Sequence, residues 1–334
     1  MLFRSIGQAR AAEAEAAATA NALAAQVTRS YIGLARLVAQ RDVALRTREQ
    51  REALRQLTIK RVSAGLDTRV EQVQADGALP DVGTQIEALD EQIALARRQL
   101  AVLAGQPADA LDSLSPRLDA LRLSERPAAL QADLLGRRPD VVAARWRVEA
   151  TLQDIGAARA QFYPDINLSA FVGLSALGLD NLFDGGSRQY GVTPALHLPI
   201  FDGGRLRANL RGKEADRDAA IAQYNGVLAD ALREVGDALT SEASLQRQRS
   251  QQGQALAAAE QAYGIALRRH EAGLGNYLLV LNAESQVLSQ RRAQVDLQAR
   301  QLDTRAALMK ALGGGWQATA PLTTAALPAA TPTR

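Results

Sequence analysis

Two histidines, His197 and His270, are the only imidazoles in the 334 residues, and there is no cysteine. A general base or an activated nucleophile works within hydrogen-bond reach of its partner. These histidines lie on different segments, 73 residues apart. Without cysteine there is no disulfide, thiolate nucleophile or Cys-based metal site. The glycine pairs at 185–186 and 203–204 and the run at 313–315 lack the spacing and the lysine of a phosphate loop, and read as turn and cap glycines. No enzyme, no metal site and no cofactor is predicted. His197 reads as a residue of a polar strand face or its rim, and His270 as a helix-end residue beside a turn.

The elements that carry these residues are of two kinds. Gln161 to Arg205 reads QFYPDINLSAFVGLSALGLDNLFDGGSRQYGVTPALHLPIFDGGR. Leu168, Ala170, Val172 and Leu174 alternate with Asn167, Ser169, Phe171, Gly173 and Ser175. After a Gly/Asp-rich turn around Asp180 to Ser187, Tyr190, Val192, Leu196 and Leu198 alternate with Gln189, Gly191, Thr193 and His197. Period-two patterning on both sides of a polar turn predicts a β-hairpin. Each strand is about ten residues, near the ~9–11 that a tilted strand needs to cross a bilayer. Met1 to Ala12 has no apolar core of a signal peptide, and no run of 18 apolar residues exists. A membrane role therefore falls to the strands.

Everything else reads as long helix. Aromatic residues make up 4% of the chain although 47% is apolar, with alanine supplying much of that share. Such a composition favours helices packed through small-residue seams over a large globular core. The net charge of +3 comes from interspersed Arg and Glu without a basic block, so a solvated helix surface is the reading and nucleic acid is not an expected partner.

Residues 1–79 contain no proline, and Val27, Tyr31, Leu34, Leu37, Val38, Leu45 and Leu54 recur at helical spacings. A breaker at Ser63 to Thr68 precedes a second helix from Val70 to Gly105, which Pro80, between Gly77 and Gly83, should kink or locally break. Pro107, Pro116 and Pro127 punctuate a connector over 106–136. Pro139 and Asp140 open a third helix with Val141, Val148, Ile155 and Phe162 spaced by sevens. A fourth runs from Arg205 to about His270, on the order of 100 Å at 1.5 Å per residue. There Ile221, Leu228 and Val235, with Leu232 and Leu239, again step by sevens. Ala272 to Asn276 breaks the pattern, Tyr277 to Leu312 resumes it, and 317–334 reads as a disordered Thr/Ala/Pro tail.

The chain contains a repeat. Arg61-x-x-Ala64-Gly65-Leu66 matches Arg269-x-x-Ala272-Gly273-Leu274 at an offset of 208, which also carries Val27 to Val235, Ala75 to Ala283 and Gly105 to Gly313. A duplicated helix–turn–helix unit is implied. The hairpin's exit at Gly203-Gly204 has no counterpart before Val27, so the first copy is read as lacking its hairpin and entry helix, and the chain as N-terminally truncated.

The stretches RRPDVVAARWRVEA, IGAARAQFYPDINLSA, LFDGGSRQY, LPIFDGGRLRANL, AQYNGVLADALREVGDAL and KALGGGW resemble the TolC-like outer-membrane efflux proteins, specifically the NodT-type lipoprotein subgroup that serves RND-type pumps. The resemblance runs from about Ala11 to Trp316. It implies a mainly α fold with a β-hairpin, in which long antiparallel coiled-coil helices of a periplasmic α-barrel carry transmembrane β-barrel strands. It assigns 1–105 to a first helical hairpin, 137–163 to a helix leading to the membrane, 164–200 to the transmembrane hairpin and 201–316 to a second helical hairpin.

Family members are homotrimers that give a passive exit duct, partnered by a periplasmic adaptor (the membrane fusion protein), an inner-membrane RND-type pump and outer-membrane lipid. By resemblance, the adaptor-contacting tips are Ala64, Gly65 and Leu66 with Ala272, Gly273 and Leu274, and the periplasmic aperture is lined by Leu278, Asn282 and Glu71. The family often has Asp at the position of Asn282, and a neutral amide weakens a cation-attracting ring. Gly273 and Gly275 read equally as ordinary helix C-caps. Asn167, Ser169, Thr193 and His197 would face a wet barrel lumen, with Leu168, Val172, Val192 and Leu196 toward lipid. A soluble coiled-coil scaffold or adaptor, or a fragment without a pore, is the competing reading. One hairpin per protomer gives a trimer fewer strands than the smallest such barrels, so residues 1–334 alone are not expected to conduct.

Overall fold

The computed structural model describes residues 2–123, 136–174, 188–314 and 316. The readings made at Pro127, at Ser175, at the turn over 180–187, at Gly315 and at the 317–334 tail lie outside them. Its elements are α1 (Leu2–Ser63), α2 (Arg69–Leu103), a 3₁₀ turn (Leu118–Ala120), α3 (Pro139–Ala160), β1 (Asp165–Leu174), β2 (Arg188–His197), α4 (Arg205–Glu271) and α5 (Tyr277–Ala311). They divide into two compact units, one of 1–16 with 139–229 and one of 17–138 with 230–334.

The larger unit pairs α1 with α2 and α4 with α5, and the two pairs end alike. Gly65 and Gly273 adopt φ of 72° and 75°, the left-handed conformation that a residue without a Cβ takes cheaply. The N–H of Leu66 donates to Arg61 O at 2.9 Å and that of Leu274 to Arg269 O at 2.8 Å. This is the same carbonyl-capping turn, 208 residues apart. Each following helix is capped from its first turn: Thr68 Oγ1 accepts from Val70 N, and Asn276 Oδ1 from Leu279 N. At the far ends, Gly105 and Gly313 are again positive in φ. The duplication read from sequence is thus a duplication of backbone geometry.

Three apolar clusters hold this unit. Leu34, Leu37 and Ala44 of α1 pack on Val82, Ile86, Leu89, Ile93 and Leu100 of α2. Ile32 and Ala35 pack on Ala299, Leu302 and Ala306 of α5, with Leu118 of the connector pressed against them. Leu54, Ala75, Ala266, Tyr277 and Val280 bring all four helices together near the turns. Ion pairs such as Arg41–Asp90 at 2.5 Å and Arg29–Asp303 at 2.6 Å bind the helix flanks, each adding little because water screens them.

Two expectations are narrowed here: of the kink or break foreseen at Pro80 the break is absent, and the α4 stripe is covered in part. Pro80 does not break α2, which continues as helix from Arg69 to Leu103. An interior proline costs about 3 kcal/mol and each glycine about 1 kcal/mol against alanine, so tertiary contacts override the local preference. On α4 the expected heptad positions are covered only in part, with Leu228, Val235 and Leu239 half-buried. Ile221 and Leu232 are exposed, whereas Ala231, Ala238 and Leu245 are buried at the same sevenfold step. The expected leucines and valine flank the buried alanines on one stripe, whose deepest positions are alanines because a small side chain lets helix axes approach closely.

In the smaller unit the stripe on α3 ends at Ile155. Phe162 lies beyond the helix and is exposed, while Ala143, Ala144, Ala150 and Ala158 are buried. Gly7 of α1 faces Ala150 so closely that an added Cβ would sit 3.3 Å from the alanine's own. Arg10 stacks over Trp146 at 4.9 Å, and Arg147 pairs with Glu15 at 2.5 Å.

Candidate functional site

Two regions carry the sequence-read positions, one in each unit. The hairpin of the smaller unit is a two-stranded antiparallel sheet. Its register pairs Leu168 with Pro194, Ala170 with Val192 and Val172 with Tyr190, and on the other face Asn167 with Ala195, Ser169 with Thr193 and Asp165 with His197. Cross-strand partners share a face, so the apolar and polar sets read from the sequence stay separate. Phe171 falls on the polar face opposite Gly191, and a Cβ at 191 would meet Phe171 Cε1 at 2.6 Å. The ring lies over the glycine. Both outer strand edges lack partners among the described residues, and the apolar face is bare: Val172 is 88% exposed, as are most of its neighbours in lesser degree.

The way out of the hairpin is fixed by a residue that sequence reading treated only as part of a junction. Asp202 accepts from Gly204 N at 3.0 Å and Leu206 N at 2.8 Å, capping α4 where Gly203 and Gly204 have positive φ. Donation from Leu206, then from Gly204, holds its carboxyl below the usual carboxylate range. A lowered value means the cap's contribution is present above about pH 4 and is lost as pH falls through it. Helical Cα chemical shifts at 205–208 should therefore fade on acidification of the parent chain. In Asp202→Ala they should be diminished at every pH.

In the larger unit the two turns are joined to each other. Arg61 holds Asp67 through Nε at 2.8 Å and Nη2 at 3.1 Å, and its Nη1 reaches the Glu271 carbonyl at 3.4 Å. His270 is fully buried. Its Nδ1 lies 3.2 Å from the Gly275 carbonyl, which can only accept, so Nδ1 carries the proton. Nε2 is 3.7 Å from Asp67 Oδ2. The ring meets Tyr277 edge-on at 6.2 Å. His270 is thus a buried member of the tip junction, and the spacing of two histidines in sequence carried no sign of that.

Ala64, Gly65, Leu66, Ala272, Gly273 and Leu274 are all exposed at the turns, Leu66 and Leu274 by about two-thirds. Leu278 and Asn282 are exposed one turn apart on α5. Glu71 caps its own helix: its carboxylate accepts from Thr68 N at 2.9 Å and from Thr68 Oγ1, closing a capping box. The Thr68 hydroxyl, with backbone donors behind it, lowers its pKa, which keeps a negative charge at the first tip. The described residues contain no group of acidic and histidine side chains placed to hold a metal ion.

Sequence reasoning missed the node behind the tips. Arg51 of α1 donates through Nε to Glu284 Oε2 of α5 at 2.9 Å, and through Nη1 to Ala78 O of α2 at 2.8 Å. Asp81 Oδ2 of α2 lies 3.2 Å away. Arg51 and Glu284 are both buried, and Glu284 Oε1 has no partner. Burial raises the Glu284 pKa, and the Arg51 hydrogen bond and charge oppose it. No helix of the described chain is long and apolar enough to cross a membrane, a criterion that does not bear on strands.

Comparison with known proteins matches residues 130–314 to the family described as "Outer membrane efflux protein". Over 313 residues the chain is 34% identical to the multidrug resistance outer membrane protein MdtP of Shigella flexneri, covering 94% of this chain and 64% of that protein. It is 35% identical to outer membrane protein OprJ of Pseudomonas aeruginosa over 308 residues, 92% of this chain and again 64% of the relative. The chain thus spans just under two-thirds of the length of these curated relatives. Its fold superposes on the outer membrane protein VceC of Vibrio cholerae with a TM-score of 0.86 at 40% identity, covering 94% of this chain and 75% of that one.

Proposed function

The chain belongs to the outer membrane efflux protein family, and from that premise we propose that it forms part of a passive exit duct for drugs or other small molecules. Its hairpin joins further strands in the outer membrane. The paired tips of the larger unit face the periplasm, where they meet an adaptor and, through it, an inner-membrane RND-type pump that supplies the energy.

One observation carries this reading: a two-stranded hairpin with a bare apolar face and, among the described residues, two open edges. An isolated hairpin is marginal in water, and open strand edges are not tolerated in lipid. The arrangement is stable only when further strands close the sheet and lipid covers its outer face. Asn167, Ser169, Thr193 and His197 then line water, and Leu168, Val172, Val192 and Leu196 meet acyl chains. Three copies of a two-stranded hairpin supply six strands, below the eight or so of the smallest such barrels. A polypeptide of residues 1–334 alone should therefore give no conductance in a planar bilayer and no detergent-stable trimer. A steady pore from it would overturn that strand arithmetic.

The selective end is assigned to Glu71, Leu278 and Asn282. In a conducting assembly, Asn282→Asp should strengthen block by multivalent cations several-fold, since a carboxylate ring attracts cations where an amide ring does not. Unchanged block would take Asn282 out of the aperture. The competing scaffold reading predicts no pore in any assembly that contains this chain.

A further inference from the structure

Part of α2 is not held straight by its own sequence. Pro80 has no N–H for the carbonyl of Asp76, and Gly77 and Gly83 flank it inside the helix. A Cβ built on either glycine meets nothing within 4 Å, so neither glycine is there to let another segment approach. A proline and two helix-weakening glycines that packing does not require leave 77–83 locally soft.

One side chain of a neighbouring helix grips that stretch on both sides of the proline. The Arg51 guanidinium takes the Ala78 carbonyl before Pro80 and the Asp81 carboxylate after it, and anchors to Glu284 of α5. A guanidinium is a rigid planar fork, so engaging three acceptors fixes the direction in which α2 leaves the node. Among the described residues the other oxygen of the Glu284 carboxylate, Oε1, has no hydrogen-bond partner. Ala75, on the tip side of the proline, packs with Tyr277 and Val280 of α5.

We propose that residues 77–83 form a hinge in α2 and that Arg51 is the positioning residue that latches it. Releasing the latch lets the 69–76 end of α2 swing away from α5. Glu71 rides on the moving end, while Leu278 and Asn282 stay on α5. The consequence for an aperture rests on the duct reading above; the hinge does not.

Because the chain has no cysteine, pairs of spin labels report without background. Gln74→Cys with Glu91→Cys spans the hinge at exposed positions, and Ser289→Cys with Arg300→Cys is a reference pair on α5. With Arg51 in place, the Gln74–Glu91 distance distribution should be narrow, near the ~25 Å of 17 helical residues. Arg51→Met keeps the stem and removes the fork. It should broaden the distribution about twofold toward shorter distances and leave the reference pair unchanged. Adding Pro80→Ala should restore the narrow peak by returning the missing N–H.

The proposal is overturned if Arg51→Met stays narrow, if broadening persists with Pro80→Ala, or if the reference pair broadens equally. Should Arg51→Met fail to fold, Arg51→Lys keeps the charge without the fork and is judged by the same criteria. Broadening in the chain, with conductance of an assembly indifferent to Arg51→Met, would confirm the hinge and retire its link to the aperture.

Discussion

Arg51→Ala is expected to lower folding stability by about 3–5 kcal/mol, the usual cost of removing one partner of a buried ion pair. The loss comes from what stays behind: the Glu284 carboxylate, buried with one oxygen already unpartnered and the other stripped of its guanidinium. Replacing both charges, as in Arg51→Met with Glu284→Leu, should return most of the loss, because apolar groups of similar volume carry no desolvation penalty. Denaturant unfolding distinguishes these outcomes as a shift in midpoint at constant slope.

The pH dependence has a definite sign. Glu284 is raised above its unfolded value, so its contribution is fully present below the ordinary glutamate range and is lost as pH rises through the raised value. Arg51 opposes that rise, so Arg51→Met should steepen the loss. A flat profile in Arg51→Met would mean that the carboxylate has found water.

Tyr277→Ala should cost a similar amount, about 3–5 kcal/mol. Tyr277 is 1% exposed at the start of α5 and touches the cluster to which α1, α2, α4 and α5 all contribute. Its neighbour Leu278 is 48% exposed, and Leu278→Ala should change stability by no more than about 0.5 kcal/mol. Adjacent positions of similar apolarity thus separate a packing role from a surface role. Equal losses at both would mean that Leu278 is covered in solution.

The turns were legible because they are encoded locally. The Ala-Gly-Leu breaker is a short window, its recurrence at an offset of 208 marks it twice, and the backbone follows both copies. The polar caps at Thr68 and Asn276 were not read from the sequence. The hairpin was legible for the same reason, since period two is fixed by the strand itself. Arg51–Glu284 was not, because its members lie 233 residues apart in a chain full of Arg and Glu. His270 was placed at a helix end correctly, but its burial depends on Asp67 and Tyr277, which the fold brings to it. The heptads on α4 found the covered stripe and missed its deepest positions, because large residues were weighted over alanine. At Pro80 the local rule foresaw a kink or a break, and the helix runs on without the break. Arg51, which contacts α2 on either side of it, lies 27 residues before Ala78 and 30 before Asp81, outside any local window.

The alanine seam has a calorimetric consequence. Where Ala231 and Ala238, or Ala143, Ala144, Ala150 and Ala158, sit in place of leucine at helix contacts, unfolding exposes less apolar surface per residue. Since apolar exposure sets the heat-capacity increment, that increment should fall below the common ~12–15 cal/mol/K per residue. Enthalpy and entropy of unfolding then change slowly with temperature, and the stability curve is broad and shallow. Such a chain gives up peak stability near room temperature and keeps a larger share of it on warming and cooling.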